Sequence, residues 1–321
     1  MISQPIRKPP IPPVLALLFG ILAVSAASIF IRYAQVYAPS LVIAAYRLVL
    51  ASVILAPFAY LRYRAELRLL GLRDLRLALL SGFFLALHFA TWITSLEYTS
   101  VASSVVLVAT APLWVALLSP FTLREPVGKM VLAGMVLALA GGTIIGLSDA
   151  CTWQAGRLAC PPLAEFVRGK AFLGNLLALV GALAAAAYIL IGRSLRGKMS
   201  LIPYIFVVYS MAALVLVALM LGAGHPATGY PAPVYGWLLL LAIFPQLLGH
   251  STFNWALRYL SAAYVSIALL GEPVGSTILA YFLLQETPTS LKIFGAILIL
   301  AGIYIASGSE ARQPNEVPDA S

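Results

Sequence analysis

Charge is what this sequence has least of. Twenty Lys and Arg and eleven Asp and Glu make up 10% of its 321 residues, against 62% hydrophobic residues. That is too little polar surface to solvate a water-soluble globule of this length, so lipid is the natural solvent for most of the chain. The three histidines and two cysteines show no metal-ligand spacing. No Gly-rich loop ending in Lys-Ser or Lys-Thr is present, which argues against ATP as a local energy source. There is no His-Glu-x-x-His pair and no Gly-x-Ser-x-Gly elbow. These absences weigh against an enzyme, and no motif requires a cofactor.

What fills the chain instead is a series of apolar runs near the ~20 residues that cross about 30 Å of hydrocarbon. They fall at Val14–Tyr33, Ser40–Leu61, Leu75–Ser95, Val101–Phe121, Gly128–Leu147, Phe172–Ile191, Ile202–Gly222, Tyr235–Trp255, Ser261–Leu284 and Leu291–Ser307. Only helix satisfies every backbone group inside such a run, so the expected fold is an all-α integral membrane protein of ten transmembrane helices. The first run, after Arg7 and Lys8, also has the look of a cleavable signal peptide. Its match to the sixth run, described below, argues against cleavage.

The few charges locate the sides. Arg62, Arg64, Arg68, Arg73, Arg76, Arg193, Arg196 and Lys198 gather on one side, and Arg32, Arg157, Arg168, Lys170 and Lys292 on the other. This bias places both termini in the cytoplasm, as in a multi-pass protein of a bacterial inner (plasma) membrane. The net charge of +9 sits at helix ends rather than on one soluble face. Anionic membrane lipid is therefore the expected electrostatic partner, not nucleic acid. Cys151 and Cys160 share the outer segment between the fifth and sixth runs. An oxidising compartment there permits a disulfide; two free thiols are the alternative.

A shift of 161 positions lays the second half on the first without a gap across several runs. Gly20 falls on Gly181, Arg32 on Arg193, Tyr98 on Tyr259, Pro112 on Pro273, Glu125 on Glu286, Gly134 on Gly295 and Gly141 on Gly302. The chain divides into a first repeat (residues 14–147), an outer connecting loop (148–171), a second repeat (172–308) and a disordered cytoplasmic tail (309–321). An odd number of crossings per copy makes the second enter from the opposite side, so the repeats are inverted. Such a pair can open one central site alternately to either face.

The matched helices, the Arg47-bearing second helix, and the phrases Pro112 to Glu125 and Pro273 to Glu286, each followed by a Gly-bearing helix, resemble the EamA-type repeats of the drug/metabolite transporter superfamily. The resemblance implies a ten-helix secondary transporter, usually an exporter of amino acids or other small metabolites. In that family helices one to four and six to nine surround the cavity. The first copy has Ala111 where the second has Glu272, and Val208 stands where the first has Arg47, so the site is expected to be asymmetric.

Ionisable groups inside a bilayer are costly and face a cavity or a partner. At 1.5 Å per residue, Arg47, Glu272 and His88 come to similar depths near the midplane. They form either a charged substrate cluster or, for Arg47 and Glu272, a structural pair. Gln246, His250 and Asn254 recur every four residues as a polar stripe on the eighth helix. Ser81, His88, Thr91, Trp92 and Ser95 share a face of the third, Ser103, Thr110 and Trp114 one of the fourth, and Glu272 continues to Ser276 on the ninth. Pointed at one axis, these stripes make a pocket with Trp92, Trp114 and Tyr188 as aromatic walls. Trp255 belongs rather to the interfacial belt. Glu125 and Glu286 are placed for capping or gating. Gly134, Ala138, Gly142 and Gly146 form a small-residue ridge for close helix packing, with a dimer seam as the weaker alternative, so the chain is expected as monomer or homodimer. The expected function is export of a small-molecule solute by alternating access, with Glu272 or His88 as possible proton-coupling groups. A lipid or lipid-linked sugar flippase is the alternative.

Overall fold

The computed structural model describes residues 9–99, 104, 107–150, 152–154, 157–160, 162, 170–284 and 287–310. In the first half, helices α1 (Pro13–Ser25), α2 (Ala27–Gln35), α3 (Ser40–Arg62), the short α4 (Arg64–Arg68) and α5 (Leu72–Tyr98) precede α6 (Ala111–Thr122) and α7 (Lys129–Ala150). A small hairpin follows, with β1 (Thr152–Gln154) antiparallel to β2 (Arg157–Ala159). The second half runs α8 (Lys170–Arg196), α9 (Leu201–Gly222), α10 (Ala232–Leu241), a π-helical segment (Ala242–His250), α11 (Ser251–Ala256), α12 (Ala262–Leu269), α13 (Glu272–Leu284) and α14 (Ser290–Glu310). By length and composition seven spans suit a membrane crossing, and Ala111–Thr122, Lys129–Ile144 and Ile293–Ala306 are shorter apolar helices. Part of the expected fourth crossing, Ser103 included, lies outside the described residues, as do Cys151, Glu286 and residues 311–321 of the expected tail, whose first two residues end α14.

The surface is apolar and the interior holds the polar groups. Phe121 and Tyr304 are 82% and 80% exposed, whereas Arg47, Gln246 and Asn254 are at most 1% exposed. Lipid tails are as apolar as Leu, so close packing between helices rather than apolar burial holds the bundle together.

That packing is made at glycines, and it follows the repeat. A Cβ added at Gly20 would press on Thr252 and Phe253, and one at Gly181 on Thr91 and Trp92. Each of these contacts is the other shifted by 161 positions. Gly134 abuts the Gly302 carbonyl, and Gly141 that of Gly295. The contact moves down α14 as it moves up α7, so the two copies of the fifth helix run antiparallel. The second repeat is inverted on the first. The ridge differs by one position from the expected four-residue stripe: Gly141 makes the contact, while Gly142 meets nothing within 4 Å. Gly134, Ala138 and Gly141 follow the three-then-four spacing of a real helix face. The ridge is occupied within the chain, by α14.

Among the described residues, four of the ten apolar runs, numbered in chain order as crossings, are interrupted partway along. Between α1 and α2 the break at Ala26 adjoins Ser25, whose hydroxyl donates to Ile21 O (2.6 Å) and Glu272 O (3.1 Å). The ninth crossing breaks between Leu269 and Glu272, just before Pro273, and the fourth has its turn at Ala109 and Thr110, just before Pro112. Proline removes one donor and clashes with the carbonyl four residues back, which explains both. In the eighth crossing Pro245 sits inside the π segment, whose wider ring relieves the same clash.

Candidate functional site

Arg47 lies in the middle of α3 and turns inward. Its Nε donates to Gln246 Oε1 (2.8 Å), and its guanidinium carbon stands 4.3 Å from the centre of the Phe89 ring. Phe89 touches His88 (4.9 Å between ring centres) and His250 (5.4 Å, edge to face). His88 stacks on Trp92 (5.7 Å), and its Nδ1 is 3.0 Å from Gly181 O. A carbonyl only accepts, so Nδ1 carries the proton, and in the neutral ring Nε2 is left as an acceptor. His88 occupies the repeat position of Gly249, whose own Cβ would run into Val24. The imidazole therefore fits on one side of the pseudo-symmetric core only. α3, α5, α8 and the π segment thus bring Arg47, His88, Trp92, Gln246 and His250 together.

A second set of polar groups continues from this cluster. Tyr209 Oη is 3.5 Å from Gln246 O and 3.2 Å from Ser251 Oγ. Asn254 Nδ2 donates to Tyr188 Oη (2.5 Å), Tyr209 Oη (3.4 Å) and His250 O (2.8 Å). Tyr188 is thereby joined to the stripe on the eighth crossing. Phe89 and Tyr209 were not singled out from sequence. Phe89 gave no signal among apolar neighbours, but a tyrosine eight residues inside an apolar helix is too deep for an interfacial belt and marked Tyr209.

The remaining expected residues take other contacts. Glu272 begins α13 half-buried; it acts on Arg47 through space but lies beyond ion-pair distance of it. Ser276 Oγ donates to Ser25 O (3.0 Å), fastening one helix break to another. Thr110 Oγ1 donates to Leu107 O (2.6 Å) and accepts from Trp114 Nε1 (3.3 Å), a pairing local to the fourth crossing. Trp255 packs on Tyr259 (4.8 Å) near a helix end. Among the described residues no group of three His, Cys, Asp or Glu side chains is placed to hold a metal.

The two ends of the bundle differ. At one end Glu125 Oε1 accepts from Arg193 Nε (2.6 Å) and its Oε2 from Ala262 N (3.4 Å), while Arg193 Nη1 donates to Leu257 O (2.8 Å). This network ties α6, α8 and the turn before α12 across the repeats. Nearby, Arg196 donates to Asn254 O and to Met199 O. At the opposite end a cavity of about 390 Å³ is lined by Gln35, Tyr37, Ala38, Pro39, Ser40, Leu96 and Glu97.

This geometry has relatives. The EamA-like transporter family matches residues 11–147 and again residues 172–308. An uncharacterized transporter of Archaeoglobus fulgidus is 26% identical over 271 residues, covering 84% of this chain and 88% of its own length. The uncharacterized transporter YdfC of Bacillus subtilis is 22% identical over 263 residues, covering 81% and 79%. A protein solved as a crystal structure superposes with a TM-score of 0.72 at 16% identity, over 94% of this chain and 98% of that one, a likeness of fold. With both halves matched and the inverted, glycine-packed helices in place, the chain belongs to the EamA-like transporter family and is a multi-pass membrane transporter.

Proposed function

We propose that the chain is a secondary exporter of small metabolites, amino acids among them, working by alternating access of its two inverted repeats. The observation that carries this reading is the convergence of interrupted helices on one buried polar cluster. The breaks at Ala26, at Leu270 and Gly271, and the π segment all lie beside Arg47, Gln246, His250 or Glu272 or on the helices that bear them. Interrupted helices at the midplane are how inverted-repeat transporters expose backbone and side-chain groups to a solute.

With the termini in the cytoplasm of a bacterial plasma membrane, the Glu125–Arg193 network seals the inner end and the Glu97 cavity opens outward. The conformation described is then outward-facing. Export requires the network to part while the outer end closes, a rocking motion on packed helix faces. Glu272, with no ion-pair partner among the described residues, and His88, with one ring nitrogen that none of them bonds, are the groups we assign to proton coupling.

The test is efflux of a radiolabelled panel of amino acids, nucleosides and sugars from proteoliposomes, with and without a pH gradient. The expected result is efflux of at least one solute above protein-free vesicles, abolished or uncoupled from the gradient in Glu272→Gln. Efflux indifferent to the gradient would remove the coupling role. Wild-type transport by Glu272→Gln, His88→Ala and Gln246→Ala together would move the site elsewhere.

A further inference from the structure

A cation inside a bundle of membrane helices is ordinarily compensated, because an unpaired buried charge is among the costliest features a fold can carry. Arg47 meets that expectation only in part. It is 1% exposed, and among the described residues no carboxylate lies within ion-pair distance of it, Glu272 acting on it only through space. Its Nε rests on a neutral amide oxygen, one face on the Phe89 ring, and its Nη1 on nothing. Gln246, 0% exposed, gives its oxygen to Arg47 and leaves its own Nε2 without an acceptor. Trp92 Nε1, on the ring stacked against His88, is a third unfilled buried donor. Within this cluster the unfilled acceptor is Asn254 Oδ1. The imbalance is one of donors, three unfilled against one acceptor, gathered around a guanidinium that no carboxylate of the described residues touches. His88, Trp92 and His250 beside them are half-buried rather than sealed, so the cluster borders accessible space.

We infer that Arg47 and Gln246 are the receptor for the carboxylate of the transported solute. The inference rests on the transport reading above. A carboxylate brings one negative charge and the lone pairs that guanidinium and amide donors lack, in the planar geometry that suits arginine. Phe89 holds the guanidinium flat, and Gln246 fixes its rotation through Nε. A phosphate monoester would bring about two charges to one cation. Arg196, the other buried arginine named here, is committed to Asn254 O and Met199 O near a helix end. The cluster therefore suits a carboxylate.

The decisive variant is Gln246→Glu, which keeps the size of the side chain and presents Arg47 with a carboxylate from within the protein. It should fold, with a thermal transition at or above that of the wild type, and it should lose the solute's place. The purified full chain in lipid nanodiscs is titrated by tryptophan fluorescence with acid and amide pairs: L-phenylalanine against L-phenylalaninamide, hydrocinnamate against its amide, succinate against succinamide. The wild type is expected to bind at least one acid roughly ten- to a hundredfold more tightly than its amide, and Gln246→Glu to weaken that acid by a similar factor. Arg47→Lys, which keeps the charge but not the fork, should weaken it about tenfold. Acids and amides binding alike, no acid binding, or Gln246→Glu binding acids as the wild type does would each overturn the receptor. Efflux of the bound acid from proteoliposomes separates the two readings. Acid binding without efflux supports the receptor and overturns the transport reading. Efflux of neutral solutes with no acid binding overturns the receptor and leaves the transport reading standing.

Discussion

At the scale of single residues, the contacts of glycine are the most sharply determined feature. A side chain at Gly134 or Gly302 would fall on a carbonyl of the facing helix, which cannot yield as a flexible side chain would. Gly134→Val should therefore lower stability by about 1–3 kcal/mol or more, as overpacking does. Gly142→Ala, into open space one residue from the seam, should stay within about 0.5 kcal/mol of the wild type. Denaturant titration of the protein in mixed micelles checks both; equal effects at the two positions would show that the seam is misplaced. The same scale explains the uneven legibility of the site. Arg47, His88, Gln246 and His250 stood out in the sequence because polar groups are rare in these helices. Phe89, which covers the Arg47 guanidinium, was indistinguishable from any lipid-facing phenylalanine.

At the scale of elements, the breaks matter more than the helices. Pro245 accounts for the π segment, and that segment sets the rotation of Gln246 and His250 relative to Asn254. Pro245→Ala restores the missing N–H and lets an α-helical register compete. Efflux is expected to fall about tenfold or more, with a thermal transition no lower than that of the wild type; unchanged efflux would show that the segment does not position the site. The Glu125–Arg193 network is half-exposed, its side chains 27% and 26% accessible, so its contribution to overall stability is small. Its expected role is to hold one end shut. In Glu125→Gln, a cysteine introduced at Leu257 should react faster with maleimide in inside-out vesicles, and an unchanged rate would count against the latch. The hairpin between the repeats pairs Thr152 with Ala159, and Cys151 and Cys160 are the next residues along the chain beyond that pair. We expect alkylation of the two cysteines only after reduction, read as a mass shift.

At the scale of the whole molecule, composition and the 161-residue offset already required a membrane protein of two related halves. The reason is physical: only lipid tolerates so little charge, and an odd number of crossings forces inversion. Helix lengths were read less well where proline divides a crossing into pieces, because an apolar run carries no sign of where its backbone ladder lapses. What the tertiary structure alone decided was partnership. Arithmetic along each helix put Arg47 and Glu272 at one depth, but rotation about the helix axis and the choice of neighbour depend on glycine contacts between residues far apart in the chain. Those contacts set Arg47 against Gln246, 199 positions away. They left Glu272 beyond ion-pair distance, acting on Arg47 only through space, and so left a buried guanidinium with a donor that no described residue fills.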